Sequence, residues 1–225
     1  MEQTNNKELK LEEIDKWYNK KSSKAVHALK SFSYTFVPGI YGLIGKNGAG
    51  KSTLINILTG YILKDNGKIF FDGSEIDTRT KEYKSLIGYM PQTIGVYDSM
   101  TCKQFLEYIS ALKGLKNNGN EVNYWISKVH LDDKKDCKIS ELSGGMRQRL
   151  LFAQSQIGNP YIVLLDEPTA GVDPDERDNL KNSIKEHCKE KIVIISTHIL
   201  TDLADLATDC IELRNGEICL LNLPV

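Results

Sequence analysis

The 225-residue chain predicts an α/β fold in which parallel strands are buried on both faces. Two continuous apolar runs, Ile162-Val163-Leu164-Leu165 and Ile192-Val193-Ile194-Ile195, have the length of buried strands, and the polar amphipathic stretch Glu176 to Lys189 between them has helical spacing. A third run, Ile40 to Ile44, follows the turn Pro38-Gly39 and leads into Gly45-Lys46-Asn47-Gly48-Ala49-Gly50-Lys51-Ser52, after which Thr53 to Leu58 resumes helical spacing. From about Asp98 to Pro160 helical periodicity replaces strands, so a helical lobe is expected inside the α/β core.

Each element has a local reason. Leu9 and Leu11 alternate with charged residues, as in a strand exposed on one side; Trp17-Tyr18-Asn19 and a polar turn over Lys20 to Lys24 follow. Phe32, Tyr34 and Phe36 repeat with period two. Asp65-Asn66-Gly67 and Asp72-Gly73 bracket a strand at Lys68 to Phe71, and Ile87 to Met90 is another, ended by Pro91-Gln92. In the lobe, Thr101 with Gln104 forms a capping box ahead of Phe105, Ile109 and Leu112. Asn120 is the expected cap of a second helix carrying Val122, Trp125, Ile126 and Val129, and a third begins near Ser143. Asn215-Gly216 turns a closing hairpin between Cys210–Leu213 and Glu217–Leu220. No repeat or low-complexity tract interrupts the chain. The expected organisation is one domain, 1–225, with a core of 1–97 and 161–225 and a helical subdomain of 98–160.

Composition narrows the function classes. A net charge of -1 gives no global field to recruit nucleic acid or anionic lipid. Five cysteines without a C-x-x-C point to free thiols rather than a disulfide frame or a zinc site. The polar N-terminus has no signal-peptide core and no apolar run approaches a bilayer span, so a soluble cytoplasmic chain is expected, with any membrane role running through a partner.

The chemistry begins at Gly45–Ser52, which has the form G-x-x-x-x-G-K-[ST] between a strand and a helix. The backbone N–H groups of Asn47, Gly48, Ala49, Gly50, Lys51, Ser52 and Thr53 suit a triphosphate. Lys51 adds positive charge and the Ser52 hydroxyl a ligand for Mg²⁺, so ATP and Mg²⁺ are the expected ligands. Asp166-Glu167 ends a buried strand, where α/β sheets bind ligands. Asp166 would join the Mg²⁺ shell and Glu167 would accept a proton from the attacking water. Leu142-Ser143-Gly144-Gly145-Met146 sets bare backbone N–H groups at a helix start, a second anion site.

The order P-loop, Gln92, Leu142 to Met146, Asp166-Glu167 and His198 resembles the ATP-binding subunits of ABC transporters, over about Leu9 to Leu221. The Ser-Gly-Gly motif is its most specific part, since generic P-loop NTPases lack it; Met146 stands where many family members have glutamine. The resemblance implies a P-loop NTPase fold: a RecA-like core with a mixed sheet, an antiparallel β subdomain and an inserted helical subdomain. It implies that Tyr18, or its neighbour Trp17, stacks on adenine, and that Gln92 joins the Mg²⁺ and water network and senses a membrane partner. Ser143, Gly144 and Gly145 would contact the γ-phosphate bound by an opposite subunit, Asp173 would be the polar member of the loop crossing the interface, and His198 would contact the γ-phosphate and orient Glu167. His27, His130 and His187 lack such context and read as structural.

The motifs look most like the single-domain exporter ATPases. These form a homodimer or pseudo-homodimer across two ATP molecules, at the inner face of the cell membrane, on a separately encoded multi-spanning permease. The expected role is to power export of a peptide, antibiotic, lipid or other hydrophobic cargo, with no nucleic-acid partner. The chain ends just after the closing hairpin, so the C-terminal regulatory domain of several importer ATPases is not expected. The apolar segment Thr93 to Met100, with Ile94, Val96, Tyr97 and Met100, is the expected docking surface. The alternatives are a soluble ABC ATPase acting on ribosomes or nucleic acid, and a sensory or regulatory ABC module.

Overall fold

A computed structural model of the protein describes residues 7–221 except 94, 96 and 117. The chain runs β1 (Leu9–Tyr18), β2 (Val26–Phe36), β3 (Gly39–Ile44), α1 (Lys51–Leu58), β4 (Asn66–Phe71), β5 (Ser74–Glu75), α2 (Lys81–Leu86), β6 (Ile87–Met90), α3 (Cys102–Leu112), α4 (Gly119–Lys128), α5 (Gly144–Gln156), β7 (Ile162–Asp166), α6 (Pro174–His187), β8 (Ile192–Thr197), β9 (Asp209–Arg214) and β10 (Glu217–Leu221).

Two sheets result. One is antiparallel, in the order β2-β1-β4-β5; the other is mixed, β10-β9-β3-β8-β7-β6, parallel except for β10 against β9. The apolar runs of β7 and β8 are continuous because both faces of this sheet are covered. Val163, Leu165, Val193 and Ile195 face the helical lobe, while Ile162, Leu164, Ile192 and Ile194 face α1 and the antiparallel sheet. Each fully buried side chain of this size contributes about 1.5–3 kcal/mol of transfer free energy, so both layers are strongly fixed to the sheet between them.

The lobe enters between β6 and β7. Thr101 Oγ1 accepts from Gln104 N (3.2 Å) while Gln104 Oε1 accepts from Thr101 N (3.0 Å), starting α3. Cys102 N donates to Cys137 O (3.2 Å) and Ile139 N to Met100 O (2.9 Å), tying that start to the approach to α5. At the far end of α5, Lys113 Nζ donates to Ile157 O (2.6 Å) and Ile87 O (3.1 Å), joining the lobe to β6. Burial lowers the pKa of this ammonium to about 8.

Several elements depart from expectation. α4 begins at Gly119 behind Asn118, not Asn120, and Asn118 makes no side-chain cap bond. β2 begins at Val26, and α6 begins at Pro174 with Asp173 Oδ1 accepting from Glu176 N (3.0 Å). Pro174 can occupy the first turn because its missing N–H would have no helical partner there. α2 was not expected: Thr80 Oγ1 caps it through Tyr83 N (3.3 Å), and Tyr83 is its only buried residue. In the segment Thr93 to Met100, Ile94 and Val96 lie outside the described residues. Tyr97 packs on Phe105 and Tyr108, and Met100 packs against the lobe core, each remaining partly exposed.

Candidate functional site

The loop between β3 and α1 is built by backbone demands. Gly50 caps α1 at φ 112°, and a Cβ there would lie 2.5 Å from Ala28 O, so no larger residue fits beside β2. α1 has no acidic residue in its first turn, leaving its N-terminal N–H groups and dipole available to an anion. Lys51 is buried and its Nζ donates to Gly45 O (2.6 Å); an ammonium with three donors keeps two for a ligand. The cleft in front has a volume of about 570 Å³ and is lined by Asn47, Gly48, Ala49, Gly50, Lys51, Ser52 and Thr53 with Tyr18, Gln92, Asp166, Glu167 and His198.

The acids arrive from the ends of two parallel strands. Asp166 closes β7, and Ser196 Oγ on β8 donates to Asp166 Oδ1 (2.5 Å). Glu167 then turns out of the sheet at φ 47°, a left-handed conformation unusual for a non-glycine residue. Its N–H is shared between Ser196 O (3.0 Å) and Ser196 Oγ (3.1 Å). His198 Nδ1 lies 2.9 Å from Glu167 Oε2, with the Glu167 side chain 15% exposed and His198 55% exposed. The loop that follows is held by Thr169 Oγ1 donating to Asp202 Oδ2, by the Arg177–Asp202 ion pair (3.2 Å) and by Arg177 donating to Val172 O (3.4 Å).

The two aromatic candidates separate. Tyr18 lines the cleft, its hydroxyl 3.4 Å from Thr53 Oγ1. Trp17 stacks on His27 at 3.9 Å and 12°, and His27 Nε2 lies 2.7 Å from Asp15 Oδ1, so Trp17 is engaged elsewhere.

Ser143, Gly144, Gly145 and Asp173 do not join Lys51 in that cleft. Ser143 caps α5 through Met146 N (3.2 Å) and is exposed. A Cβ on Gly145 would lie 2.7 Å from Glu176 Cγ, and Glu176 pairs with Arg149 (3.0 Å), so glycine lets α5 and α6 close up. Gly144 opens onto a second cleft of about 440 Å³ with Thr93, Gly95, Arg147, Gln148 and Gly171. Gln92 borders both clefts, and Gln148 Nε2 donates to its carbonyl (3.4 Å). Sequence reasoning passed over Ser196 and the Thr169–Asp202–Arg177 set; the available signal was a hydroxyl ending an otherwise apolar strand.

The donors fit Mg²⁺. The Ser52 hydroxyl, the Gln92 amide and the Asp166 carboxylate are hard oxygen ligands on one cleft. Among the described residues there is no group of three or more His, Cys, Asp or Glu that could hold a metal ion by itself. Among the described residues no helix is long and apolar enough to cross a membrane.

Comparison with known proteins gives the family and agrees with the fold. The family description "ABC transporter" matches residues 29–170. Human ATP-binding cassette sub-family A member 10 is 32% identical over 215 residues, 93% of this chain and 14% of that protein. The rat protein named Cholesterol transporter ABCA5 is 35% identical over 207 residues, 89% of this chain and 12% of that protein. The chain thus spans about an eighth of the length of these relatives. Among solved structures, the ADP conformation of MJ1267, an ATP-binding cassette of an ABC transporter, superposes with a TM-score of 0.82 at 25% identity, covering 95% of this chain and 89% of that one. The dimeric cassette MJ0796 shares the fold at a TM-score of 0.83 and 23% identity, with 93% and 96% covered. The chain belongs to the ABC transporter family, as one of its ATP-hydrolysing nucleotide-binding domains.

Proposed function

We propose that this domain powers transport by turning over ATP at the Lys51–Glu167 cleft. The single observation that carries the chemistry is the Glu167–His198 pair at 2.9 Å on the rim of the P-loop cleft. Tyr18 would stack on adenine, and the backbone from Asn47 to Thr53 with Lys51 would hold the phosphates. Mg²⁺, when bound at Ser52, Gln92 and Asp166, supplies neutralisation of charge on the β- and γ-phosphates. Glu167 would take the proton of the attacking water while His198 keeps its carboxylate turned toward the γ-phosphate. Ser143, Gly144 and Gly145 at the head of α5, with Asp173 at the head of α6, would meet the γ-phosphate held by a second copy, so that two copies bury two ATP molecules. The exposure of Ser143 and its separation from Lys51's cleft support that division.

Cycles of closure and opening do work only against a second body. That body would be a separately encoded membrane-spanning permease, docked at the cleft of Gln92, Thr93 and Gly95 on the inner face of the cell membrane. The cargo would be a lipid or another hydrophobic compound moved outward; the relative named a cholesterol transporter supports that class. Fractionation of cells tests this. The domain is expected in the membrane pellet when the permease is co-expressed and in the supernatant when it is not. Recovery with ribosomes or nucleic acid would contradict transport.

A further inference from the structure

We infer that Ser196 is the positioning residue of the catalytic site, fixing Asp166 and Glu167 together through one hydroxyl. Resting on the proposed roles of those two acids, the inference starts from where Ser196 stands. It follows the apolar run Ile192–Ile195 on β8 and is 0% exposed. A hydroxyl buried there is unfavourable unless its hydrogen bonds are made. Two are made, one to Asp166, the proposed metal ligand, and one to Glu167, the proposed base. The single proton of Ser196 is donated to Asp166 Oδ1 (2.5 Å), since an ionised carboxylate only accepts. A lone pair of the same oxygen accepts the Glu167 N–H (3.1 Å).

The second bond matters because Glu167 sits at φ 47°. Such a backbone persists only where the surroundings over-determine it. Here the Glu167 N–H is held by both the carbonyl and the hydroxyl of Ser196, while His198 holds the carboxylate at the other end. Among the described residues the other carboxylate oxygen of Asp166 has no hydrogen bond, and Asp166 lines the cleft, so that oxygen would be the one left for a cation bound there. Loss of the hydroxyl would loosen the metal ligand and the base together, yet touch none of the phosphate-binding groups of the loop.

Ser196→Ala tests this, assayed for turnover, Mg²⁺ dependence and nucleotide affinity. The expected kcat falls about tenfold, the size of a lost charge-assisted hydrogen bond. The Mg²⁺ concentration for half-maximal turnover should rise severalfold. ATP affinity measured without Mg²⁺ should stay within about twofold, as for a site with no shared partner. In a double-mutant cycle at saturating Mg²⁺, Ser196→Ala should lower turnover less than about twofold in a Glu167→Gln background, because the base it positions is already gone. If Ser196→Ala is too unstable to purify, Ser196→Cys, a weaker donor of similar shape, carries the same expectations. Parental kcat and Mg²⁺ dependence with only a lowered melting temperature would overturn the inference. If Glu167→Gln alone turns over at the parental rate, the assignment of the base fails instead. The Mg²⁺ dependence of Ser196→Ala then decides the Asp166 half by itself: a rise supports it and a parental value overturns it.

Discussion

The P-loop cleft and the head of α5, the two proposed anion sites, are both made from helix N-termini and are finished to different degrees. At the P-loop cleft the polar groups already have partners in the same chain: Lys51 on Gly45, Asp166 on Ser196, Glu167 on His198. Cation, acid and base then surround one volume. Among the described residues the head of α5 has its own cap, Ser143 accepting from Met146 N, and no acidic residue in its first turn. Ser143 and Gly144 are exposed there. In the proposed reading one site holds chemistry and the other holds only recognition. That difference is what a chain needs if each of its sites is to be completed by another copy.

The largest effect that sharpens the contrast is expected from Glu167→Gln. The substitution removes the proton acceptor in a nearly isosteric side chain, and general-base catalysis contributes typically about 10²–10⁴-fold. Turnover should fall by that factor while ATP binding persists, and the variant should accumulate as an ATP-bound dimer in gel filtration. Parental turnover would move the base elsewhere.

Lys51→Ala acts on binding rather than chemistry. A charge-assisted contact to phosphate is worth about 1.5–3 kcal/mol, so ATP affinity should drop roughly 10- to 150-fold in a fluorescence or calorimetric titration. Equal affinity in variant and parent would falsify the assignment of the cleft.

The smallest effect concerns the far end of α5. Lys113 titrates near 8 in the folded chain against an ordinary 10.5. Between those values the unfolded chain binds more protons, so the burial cost of Lys113 is complete below pH 8 and disappears as pH rises toward 10.5. Cys102 and Cys188, both pushed up to about 11 by burial, act with the opposite sign over an overlapping range. The comparison is therefore parent against Lys113→Met: relative to the variant, the parent's melting temperature should gain between pH 8 and 10. A constant difference would mean that Lys113 is not desolvated at this junction.

Much of this was legible in the sequence because the signals are local. The P-loop, the β7 and β8 runs, the Thr101–Gln104 box and the Asn215-Gly216 turn each rest on residues close in the chain. What was not legible depends on partners far apart. α2 has one buried residue and so no periodicity to read. Trp17 and Tyr18 could not be separated until His27 was seen to occupy Trp17, and the register shifts of β1 near Lys16 and Trp17 hide which face each presents. Ser196 meets Asp166 across thirty residues, through the pairing of β7 with β8. Asn120 looked like a cap because its type suits one, but Asn118 precedes the helix and makes no cap bond. Tyr97 and Met100 looked like a partner surface because apolar residues in a loop have no local explanation; the lobe supplies one.

The central claim, that each ATP is completed by the head of α5 from another copy, is tested by mixing two inactive variants. Lys51→Ala lacks the phosphate cation and Ser143→Arg blocks the recognition site, so at an ATP concentration that the parent binds and Lys51→Ala does not, neither should turn over ATP alone. In a mixed dimer one composite site would have Lys51 from one chain and Ser143 from the other, both intact. The expected result is that turnover reappears on mixing and rises with the fraction of mixed dimer. Mixed dimers shown to form, with no recovery of turnover, would contradict it.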